Sequence, residues 1–510
     1  MNKKTLLLSL VSGVLIFLSF PKADMGFLAW VALVPLLYAI KDTDLPGAFR
    51  TGFVVGLVYN TGLIYWIVFV VVHYGHIPFY AGVSVMLLLA IYLSLYPALF
   101  CAGVVYFRRR GIRGTIIAPL LWVSLDYVKG HLFSGFPWED LAYSQHGYLP
   151  MIQVGDITGI YGITFLIVLL NCIVYDCISG SFFSSGTEKK RFLSEIVIGV
   201  GLLSLVFGYG IYRINDLKNT VKHLDSIDVS LIQGNIDQSV KWSQEYQSDT
   251  MNIYRDMSAD ASKSGASLIV WPETAVPFCF QNYEDRSRDV INTARKAKSW
   301  LLFGSLGYVK EEGEISFCNS AYLISPEGAV SGRYDKVHLV PFGEYVPLRD
   351  ILFFIDKLVE GAGDFTPGGE ITPFSMGDRK IGILICYEGI FPEISREYCL
   401  KGANLLVNIT NDAWYGNTSA PYQHLTMAAF RAIENRRYLI RAANTGISAI
   451  VDPTGKIVYR TDLFKRTALC GPVKFTRQNT FYSKYGNLFA CSCIVFLLIG
   501  FLISLRRENR

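Results

Sequence analysis

The chain has 510 residues, of which 51% are hydrophobic and only 17% charged, and its mean hydropathy is +0.33. This length excludes one ordinary domain, and the low charge, against about 25% in soluble proteins, excludes a wholly soluble chain. The net charge of +5 is small and gathers near the ends of apolar runs, which favours membrane topology over nucleic-acid binding. We therefore expect an integral membrane protein with a polar segment inserted between its spans.

Eight apolar runs are predicted to form transmembrane helices. They lie at residues 5–20, 26–40, 48–72, 80–107, 115–128, 159–178, 196–214 and 487–505. The first run lacks a small-residue cleavage site and is interpreted as a retained span instead of a signal peptide. Asp126 interrupts the fifth run. The last run has 19 residues without charge, and at about 1.5 Å per residue such a helix crosses the hydrocarbon core.

Basic residues predict the orientation of these helices. If every run crosses once, the following fall on one side of the membrane: Lys3, Lys4, Lys41, Arg50, Arg108, Arg109, Arg110, Arg113, Lys189, Lys190, Arg191, Arg506, Arg507 and Arg510. Because loops rich in lysine and arginine stay in the cytoplasm, both termini are predicted to be cytoplasmic. The polar segment between the seventh and eighth helices is then predicted to lie outside the cytoplasm.

This pattern divides the chain into three predicted parts. They are a membrane domain of seven helices at residues 1–214, a polar domain at 215–485, and a last helix with a cytoplasmic tail at 486–510. Strands and helices alternate in the polar domain, which predicts sheets covered by helices. The strands are predicted at residues 227–233, 267–271, 301–306, 318–325, 329–334, 381–386, 405–410, 439–443 and 448–452. The helices are predicted at residues 243–264, 286–298, 392–401 and 424–435.

Three polar side chains of this domain stand where an apolar strand meets a loop: Glu273, Lys336 and Cys386. Strand ends are the usual place for catalytic groups in α/β sheets. A thiol nucleophile needs a base, which a carboxylate can be, and a lysine can stabilise an oxyanion. The helix predicted just after Cys386 is expected to lower the pKa of its thiol. Taken singly, each residue has a structural alternative: a packed core cysteine, a carboxylate at a helix start, and a surface lysine.

Metal binding is not predicted. The chain has ten cysteines, five in or beside apolar runs and five in the polar domain. No C-x-x-C pair with partner histidines occurs, so we expect neither a zinc site nor a cofactor.

Three stretches of the polar domain resemble the Glu–Lys–Cys signature of the nitrilase, or carbon–nitrogen hydrolase, superfamily. They are W-P-E-T at residues 271–274, R-Y-D-K-V-H-L-V-P-F-G-E-Y at 333–345 and I-C-Y-E at 385–388. The resemblance implies a four-layer α-β-β-α sandwich. It also implies Glu273 as general base, Lys336 as oxyanion stabiliser and Cys386 as nucleophile.

Further residues of these motifs are expected to support the site. Glu344 matches the second glutamate of the superfamily and would orient or polarise Lys336. Tyr387 would contribute through a backbone N–H near the oxyanion, and Glu388 completes the third motif.

Within the superfamily, the chain resembles the apolipoprotein N-acyltransferase family along nearly its whole length. Supporting motifs are G-F-P-W at 135–138, Q-G-N-I at 233–236, T-N-D-A-W-Y-G at 410–416 and A-N-T-G-I-S-A at 443–449, with Tyr415 where phenylalanine is more often expected. The resemblance implies transfer of an acyl chain from a membrane phospholipid, through a thioester on Cys386, to the α-amino group of the diacylglyceryl-cysteine of an apolipoprotein. It implies a multi-pass protein of the bacterial cytoplasmic (inner) membrane with its polar domain in the periplasm, and a monomer is the default expectation.

Both substrates carry acyl chains, so the site is expected near the membrane surface. Trp242, Trp414 and Tyr415 are candidates for lining an acyl-chain or headgroup site, although such aromatics also serve as core residues. Residues 346–367 form a largely apolar arm with glycines, which fits either a membrane-facing arm or a core helix.

Two other functions compete. A membrane-anchored nitrilase-type amidase would share the fold and the Glu–Lys–Cys set and release its product to water, but one span would suffice to anchor it. A transporter or scaffold with a non-catalytic sandwich would use intramembrane charge, which is scarce here, with Asp126 and Asp176 near span ends.

Overall fold

The computed structural model describes residues 1–179, 187–239, 241–282, 285–311, 314–346 and 365–508, so that most of the apolar arm predicted at 346–367 lies outside the described residues. The chain divides into two compact units. The first comprises Met1–Val68, Pro78–Asn215 and Tyr485–Arg510, and the second comprises Phe69–Ile77 and Asp216–Lys484. The segment Phe69–Ile77, whose first residues belong to the third apolar run, therefore groups with the polar domain.

Helices form the first unit and part of the second. In chain order they are α1 (Lys3–Leu18), α2 (Val34–Ala39), α3 (Leu45–Ile64), α4 (Trp66–His73), α5 (Phe79–Arg109), α6 (Gly114–His131), α7 (Leu149–Ile152), α8 (Gly155–Thr158), α9 (Ile160–Ile178), α10 (Thr187–Lys222), α11 (Gln244–Lys263), α12 (Asp285–Ala297), α13 (Pro392–Leu400), α14 (Ala420–Asn435), α15 (Phe481–Tyr485) and α16 (Leu488–Glu508). Short 3₁₀ turns lie at Gly26–Trp30, Leu141–Gln145, Phe280–Asn282, Cys386–Ile390 and Asp412–Tyr415.

Within the described residues, four helices are long and apolar enough to cross a membrane. They are Phe79–Arg109, Ile160–Ile178, Phe192–Lys222 and Leu488–Arg506. The pair α3 and α4, bent by 52°, makes a fifth if the two helices count as one broken span. These five match the predicted runs at 48–72, 80–107, 159–178, 196–214 and 487–505.

Helices also occupy the other three predicted runs, but these helices are not both long enough and apolar enough to be identified as membrane spans. α1 has 16 residues, and Gly26–Ala39 is a shorter apolar stretch. α6 contains the charged residues Asp126 and Lys129. A total of eight spans therefore stays a prediction.

Glycines let α3 and α5 pack closely in the first unit. A methyl group at Gly52 would lie 2.2 Å from the carbonyl oxygen of Pro97, and one at Gly56 would lie 2.8 Å from the Cα of Ser94. Helices in membranes associate through such small residues, because close backbone approach provides van der Waals contact that apolar burial alone cannot supply there.

The strands of the second unit form two sheets. In chain order the strands are β1 (Ser226–Gln233), β2 (Leu268–Val270), β3 (Val276–Cys279), β4 (Trp300–Glu311), β5 (Glu314–Ile324), β6 (Val330–Asp335), β7 (Phe374–Met376), β8 (Arg379–Ile385), β9 (Leu405–Thr410), β10 (Tyr438–Ala443), β11 (Ala449–Val451), β12 (Ile457–Arg460) and β13 (Thr467–Lys474). The first sheet has the order β13-β1-β2-β4-β5-β6, with β3 also paired to β4. The second has the order β12-β11-β10-β9-β8-β7.

The central strands of both sheets run parallel to one another. β1, β2 and β4 are parallel neighbours in the first sheet, as are β8, β9 and β10 in the second. Every residue of β2 and of β9 is buried. Strands covered on both faces need no polar side, which explains why their sequences are apolar without alternation.

The two sheets pack face to face, and helices cover their outer sides. α11 packs on β1, while α13 packs on β8 and α14 on β10. A buried cluster joins Val290 of α12 to Ile269 and Leu301 of the first sheet. Between the sheets, the Ser448 hydroxyl donates to Gln233 Oε1 at 2.8 Å. The α-β-β-α sandwich implied by the resemblance is therefore confirmed in the second unit.

Candidate active site

Glu273, Lys336 and Cys386 lie at strand ends from both sheets and come together. Glu273 follows β2, Lys336 follows β6 and Cys386 follows β8. Their exposed fractions are only 6%, 1% and 6%. The charges of Glu273 and Lys336 both act on the Cys386 thiol. The fold thus assembles a carboxylate, an ammonium and a thiol in one buried place.

Two carboxylates hold this arrangement in a fixed geometry. Lys336 Nζ lies 2.8 Å from Glu344 Oε2. Asn319, on β5, donates from Nδ2 to Glu273 Oε1 at 2.8 Å and to Glu344 Oε1 at 2.9 Å. The backbone N–H of Asn411, after β9 in the other sheet, donates to Glu273 Oε2 at 2.8 Å. Both oxygens of Glu273 are thus held, one from each sheet, and Glu344 contacts Lys336 as expected.

Cys386 sits on a tight turn that Glu388 stabilises. Cys386 begins the 3₁₀ turn Cys386–Ile390 with a φ of 51°, a left-handed conformation that is uncommon outside glycine. The carboxylate of Glu388 accepts hydrogen bonds from the N–H groups of Ile385, Val337 and His338 and from the Tyr334 hydroxyl. Because Val337 follows Lys336 directly, Glu388 joins the lysine loop to the cysteine turn.

A buried hydrogen-bond network contacts the backbone carbonyl of Cys386. The carbonyl oxygen of Cys386 can only accept, so His424 Nε2, 3.1 Å away, carries the proton that it donates. Burial and the charge of Arg441 lower the pKa of His424, which favours a neutral ring whose Nδ1 accepts from Arg441 at 3.0 Å. Arg441 also donates to Asp412 Oδ2 at 2.7 Å. His424 therefore links a buried ion pair to the Cys386 carbonyl.

The expectation that a helix N-terminus lowers the pKa of Cys386 is wrong. The 3₁₀ turn separates the thiol from α13, which begins at Pro392. Burial raises the pKa of the Cys386 thiol, Glu273 adds to the rise, and Lys336 opposes it. The resting group is therefore a protonated thiol, and its reaction requires a base.

Lys336 is a permanent positive charge at this site. Burial acts to lower the pKa of Lys336, but the carboxylates of Glu344 and Glu273 outweigh burial and raise the pKa above its ordinary value. A group that stays cationic through neutral pH suits stabilisation of a developing oxyanion, because it needs no proton transfer to do so.

The aromatic candidates lie in different surroundings. Trp242 and Trp414 are half-buried, whereas Tyr415 is buried. The ring of Trp414 packs edge-on against Tyr74, with centroids 4.7 Å apart. Tyr415 lies edge-on to His424 with centroids 6.0 Å apart. The two tryptophans therefore keep surface for a ligand, and Tyr415 packs on the buried network.

Tyr387, the residue after the thiol, is also buried. Its ring packs edge-on against Phe391 with centroids 5.1 Å apart and lies 5.9 Å from the His338 ring. The side chain is therefore part of the core beside the turn, which leaves the backbone N–H as the group with which this residue would serve the site.

Four polar residues of the site were not among the predicted ones: Asn319, Asn411, His424 and Lys241. Lys241 donates from Nζ to Thr274 Oγ1, one residue after Glu273. Asn319 lies in an apolar strand, Asn411 directly after one and His424 in a buried helix, whereas Lys241 lies in a loop without such a signal. The partners lie far away along the chain, so the sequence alone gives no pairing.

Two family profiles match the chain. The carbon–nitrogen hydrolase profile matches residues 228–477, which contain Glu273, Lys336 and Cys386. The profile of the apolipoprotein N-acyltransferase N-terminal domain matches residues 12–173, in the helical part.

Individual relatives extend this match. An apolipoprotein N-acyltransferase of Geobacter metallireducens is 44% identical over 508 residues, which cover 99% of this chain and 96% of the relative. One of Pasteurella multocida is 31% identical over 522 residues, covering 100% and 98%. Among solved structures, a carbon–nitrogen hydrolase from Helicobacter pylori is 19% identical, covers 49% of this chain and 90% of its own, and has a TM-score of 0.39. Because the two relatives match from end to end at these identities, the chain belongs to the apolipoprotein N-acyltransferase family.

Proposed function

We propose that this bacterial membrane protein transfers an acyl chain from a phospholipid to the α-amino group of the N-terminal diacylglyceryl-cysteine of apolipoproteins. The observation that carries the proposal is the convergence of Glu273, Lys336 and Cys386 at one buried place in a chain of this family. Lipoprotein acceptors and phospholipid donors are its partners, and the reaction needs no cofactor.

In the first half-reaction the thiol is acylated. Glu273 takes the proton of Cys386, and the thiolate attacks the carbonyl carbon of a phospholipid ester. Lys336 stabilises the oxyanion, aided by a backbone N–H near Tyr387. The ester C–O bond then breaks, Glu273 returns its proton to the departing alkoxide, and a thioester and a lysophospholipid result.

In the second half-reaction the thioester is passed to an amine. The α-amine of the diacylglyceryl-cysteine attacks the thioester carbonyl, and Glu273 takes a proton from the nitrogen. The C–S bond breaks, the new amide leaves, and the Cys386 thiolate regains its proton from Glu273. This alternation of substrates on one nucleophile is a ping-pong mechanism.

Burial of the three groups suits a transferase. Water would hydrolyse a thioester, so the site must exclude water between the two half-reactions. The low exposure of Cys386 and Lys336 fits this requirement. Trp242 and Trp414, which are half-buried, are proposed to contact the acyl chains or the headgroup, and Tyr415 to pack behind them.

The membrane arrangement is proposed on the charge pattern. Residues 1–214 form a membrane domain with seven spans, 215–485 a periplasmic catalytic domain, and 486–510 an eighth span with a cytoplasmic tail. Both termini are cytoplasmic in this arrangement, because the basic loops lie on their side of the inner membrane. The chain is proposed to act as a monomer.

Trapping the acyl-enzyme tests the function. With a phospholipid carrying a clickable acyl chain and no acceptor, we expect the wild type to retain label on the Cys386 peptide. Cys386→Ala should retain none, and Glu273→Gln and Lys336→Ala should block labelling while the protein stays in the membrane. Cys470→Ala, which removes an exposed cysteine, is the matched control and should label normally.

Two outcomes would contradict the proposal. Wild-type protein that carries no label at Cys386 would exclude the thioester mechanism. Protein that labels but releases the chain only as free fatty acid, even with an apolipoprotein peptide present, would favour the amidase function instead.

A further inference from the structure

Lys241 is a buried lysine beside the proposed general base, and no motif of the sequence points to it. It lies in the loop between β1 and α11, with an exposed fraction of 1%. Its Nζ donates to Thr274 Oγ1 at 2.5 Å and to the backbone carbonyl of Glu273 at 3.3 Å. Both acceptors belong to the turn after β2, so the lysine contacts the residue that takes the thiol proton.

The turn that Lys241 contacts has an unfavourable backbone. Thr274 has a φ of 46°, in the left-handed region that β-branched residues rarely adopt. Such a conformation persists only where the surroundings enforce it. The two hydrogen bonds from Lys241 supply part of that enforcement, and they do so directly at Glu273.

Neither acceptor of Lys241 carries a charge. Removing an ammonium from water is costly, and a fully buried lysine is ordinarily paired with a carboxylate. Lys336 follows that rule, 2.8 Å from Glu344. Within the part of the chain that the structure describes, Lys241 has no carboxylate at ion-pair distance. Any stabilisation of its ammonium form must therefore come from charges beyond ion-pair distance.

The negative charges around the thiol provide this stabilisation of the Lys241 ammonium. Lys336 forms its direct ion pair with Glu344, and among the described residues no cation lies at ion-pair distance from the Glu273 carboxylate. Burial lowers the pKa of Lys241 to about 8, while Glu273 and Cys386 favour its charged form. Lys241 therefore faces the pair of groups between which the thiol proton moves.

We infer that Lys241 is a positioning residue for acyl transfer, whose ammonium holds the turn carrying Glu273 and compensates the negative charge that passes to Cys386 when the thiol is deprotonated. The inference rests on the proposed roles of Glu273 and Cys386. It adds a second cation to the site: Lys336 favours the thiolate and also serves the oxyanion of the substrate, while Lys241 serves the turn that carries Glu273 and the thiolate.

The experiment compares Lys241→Met with Lys241→Arg in the full-length enzyme. Methionine keeps the length and removes the charge, whereas arginine keeps the charge. One measurement is the single-turnover rate of thioester formation from a labelled phospholipid. The other is the pH profile of iodoacetamide alkylation at Cys386, followed by mass spectrometry of its peptide. The remaining groups that face the thiol stay unchanged in both variants: Glu273, Lys336, Thr410, Asp412 and Tyr415.

Loss of the charge should affect the thiol itself. Because a nearby positive charge favours the thiolate, we expect Lys241→Met to slow alkylation at pH 8 about tenfold and to move the profile to higher pH. Thioester formation should fall about 10²-fold, since the base is also displaced. Lys241→Arg should recover most of both rates. Lys241→Gln, which keeps a donor without the charge, gives the same comparison if Lys241→Met does not fold.

A control variant accompanies the experiment, and different results would contradict the role of Lys241 and the proposed function. Lys263→Met removes a lysine of α11 whose side chain is 76% exposed, and both rates should stay at the wild-type level. Equal alkylation profiles for Lys241→Met and the wild type would overturn the inference, even if acylation were lost, because a purely structural role leaves the thiol pKa in place. A wild type that alkylates at Cys386 but forms no thioester would instead overturn the proposed function and leave the alkylation comparison intact.

Discussion

Asn319 joins the two carboxylates of the site. Its Nδ2 group donates to both Glu273 and Glu344, and the residue is 3% exposed. An amide is the group that can donate twice here without adding charge. The orientation of Glu273 and the position of Lys336, through Glu344, therefore share this amide nitrogen as one of their supports.

We predict that Asn319→Asp nearly abolishes acylation. A third carboxyl group would face Glu273 and Glu344, so like-charge repulsion would displace the base and raise its proton affinity. A misplaced catalytic group costs about 10²-fold in rate. The measurement is the single-turnover rate of thioester formation. Asn292→Asp, an exposed change of the same kind on α12, is the control, and wild-type acylation by Asn319→Asp would refute the bridging role.

At the residue scale, the sequence predicts the candidate catalytic groups and the support from Glu344, but not the supports that lie outside the three motifs. Glu273, Lys336 and Cys386 stand in motifs at strand ends, where polar groups are conspicuous. His424 contacts the Cys386 carbonyl from 38 residues away, and Lys241 contacts Thr274 from 33 residues away. Such pairings depend on how the sheets pack, which no local pattern encodes. The pKa of Cys386 was mispredicted for the same reason, since burial depends on the whole fold.

At the scale of elements, the 3₁₀ turn Cys386–Ile390 depends on Glu388. We predict that Glu388→Gln destabilises the protein by about 1–3 kcal/mol, because an amide N–H₂ would face backbone donors that need an acceptor. Acylation should fall as the turn and the Lys336 loop separate. Thermal unfolding in detergent and thioester formation measure the two effects. Glu397→Gln, in an exposed pair with Lys401, should change neither.

The same variant carries a pH prediction. Burial raises the pKa of Glu388 from 4.5 to about 7. The folded state then binds more protons than the unfolded state between these values, so the contribution of this group to stability falls as pH rises from 4.5 to about 7. The melting temperature of the wild type relative to Glu388→Gln should therefore decline over this range and level off above it. A difference that grows with pH would contradict the prediction.

Strand β4 approaches the turn after β2 so closely that only glycine fits. A methyl group at Gly304 would lie 2.4 Å from the backbone nitrogen of Thr274 and 2.7 Å from the Cα of Glu273. We predict that Gly304→Ala costs about 1–3 kcal/mol of stability through overpacking and displaces the base. Thioester formation and thermal unfolding report both effects. Gly369→Ala, at a position with open space, should behave as the wild type.

The sequence predicts strands best where both faces of the strand are buried. All nine predicted strands have counterparts, because apolar runs such as β9 are buried on both faces. β3, β7, β12 and β13 were not predicted. β13 pairs with β1 at the edge of the first sheet and contains Gly471 and Pro472. Proline is tolerated at a sheet edge, where its missing N–H faces no partner strand. Because β13 contains both glycine and proline, its sequence does not show the pattern typical of a strand.

At the scale of the whole molecule, the predicted orientation of the helices rests on the distribution of basic residues. Lys189 and Lys190 precede the apolar part of α10, and His223 follows the helix. We predict that alkaline phosphatase, which is active only outside the cytoplasm, is inactive when fused after Lys190 and active when fused after His223. Activity of the first fusion, or inactivity of the second, would reverse the predicted orientation. The two fusions differ by one helix and serve as controls for each other.

Apolar pattern alone overstates how regular the membrane helices are. The third run reads as one span, yet its helix bends by 52° between α3 and α4. The segment Phe69–Ile77 groups with the second unit, where Tyr74 donates to the Ala413 carbonyl at 3.0 Å. Hydropathy records only the affinity of a segment for lipid, and so it cannot report a bend within an apolar run.

The base Glu273 receives one hydrogen bond from each sheet, through Asn319 and Asn411. A copy of the protein in which only one sheet has folded can carry all the reactive side chains and still lack an oriented base. We therefore expect incompletely folded copies in the membrane to leave phospholipids intact. The position of this carboxylate is thus tied to the packing of the two sheets against each other, so that acylation of the thiol would require both sheets to be in place.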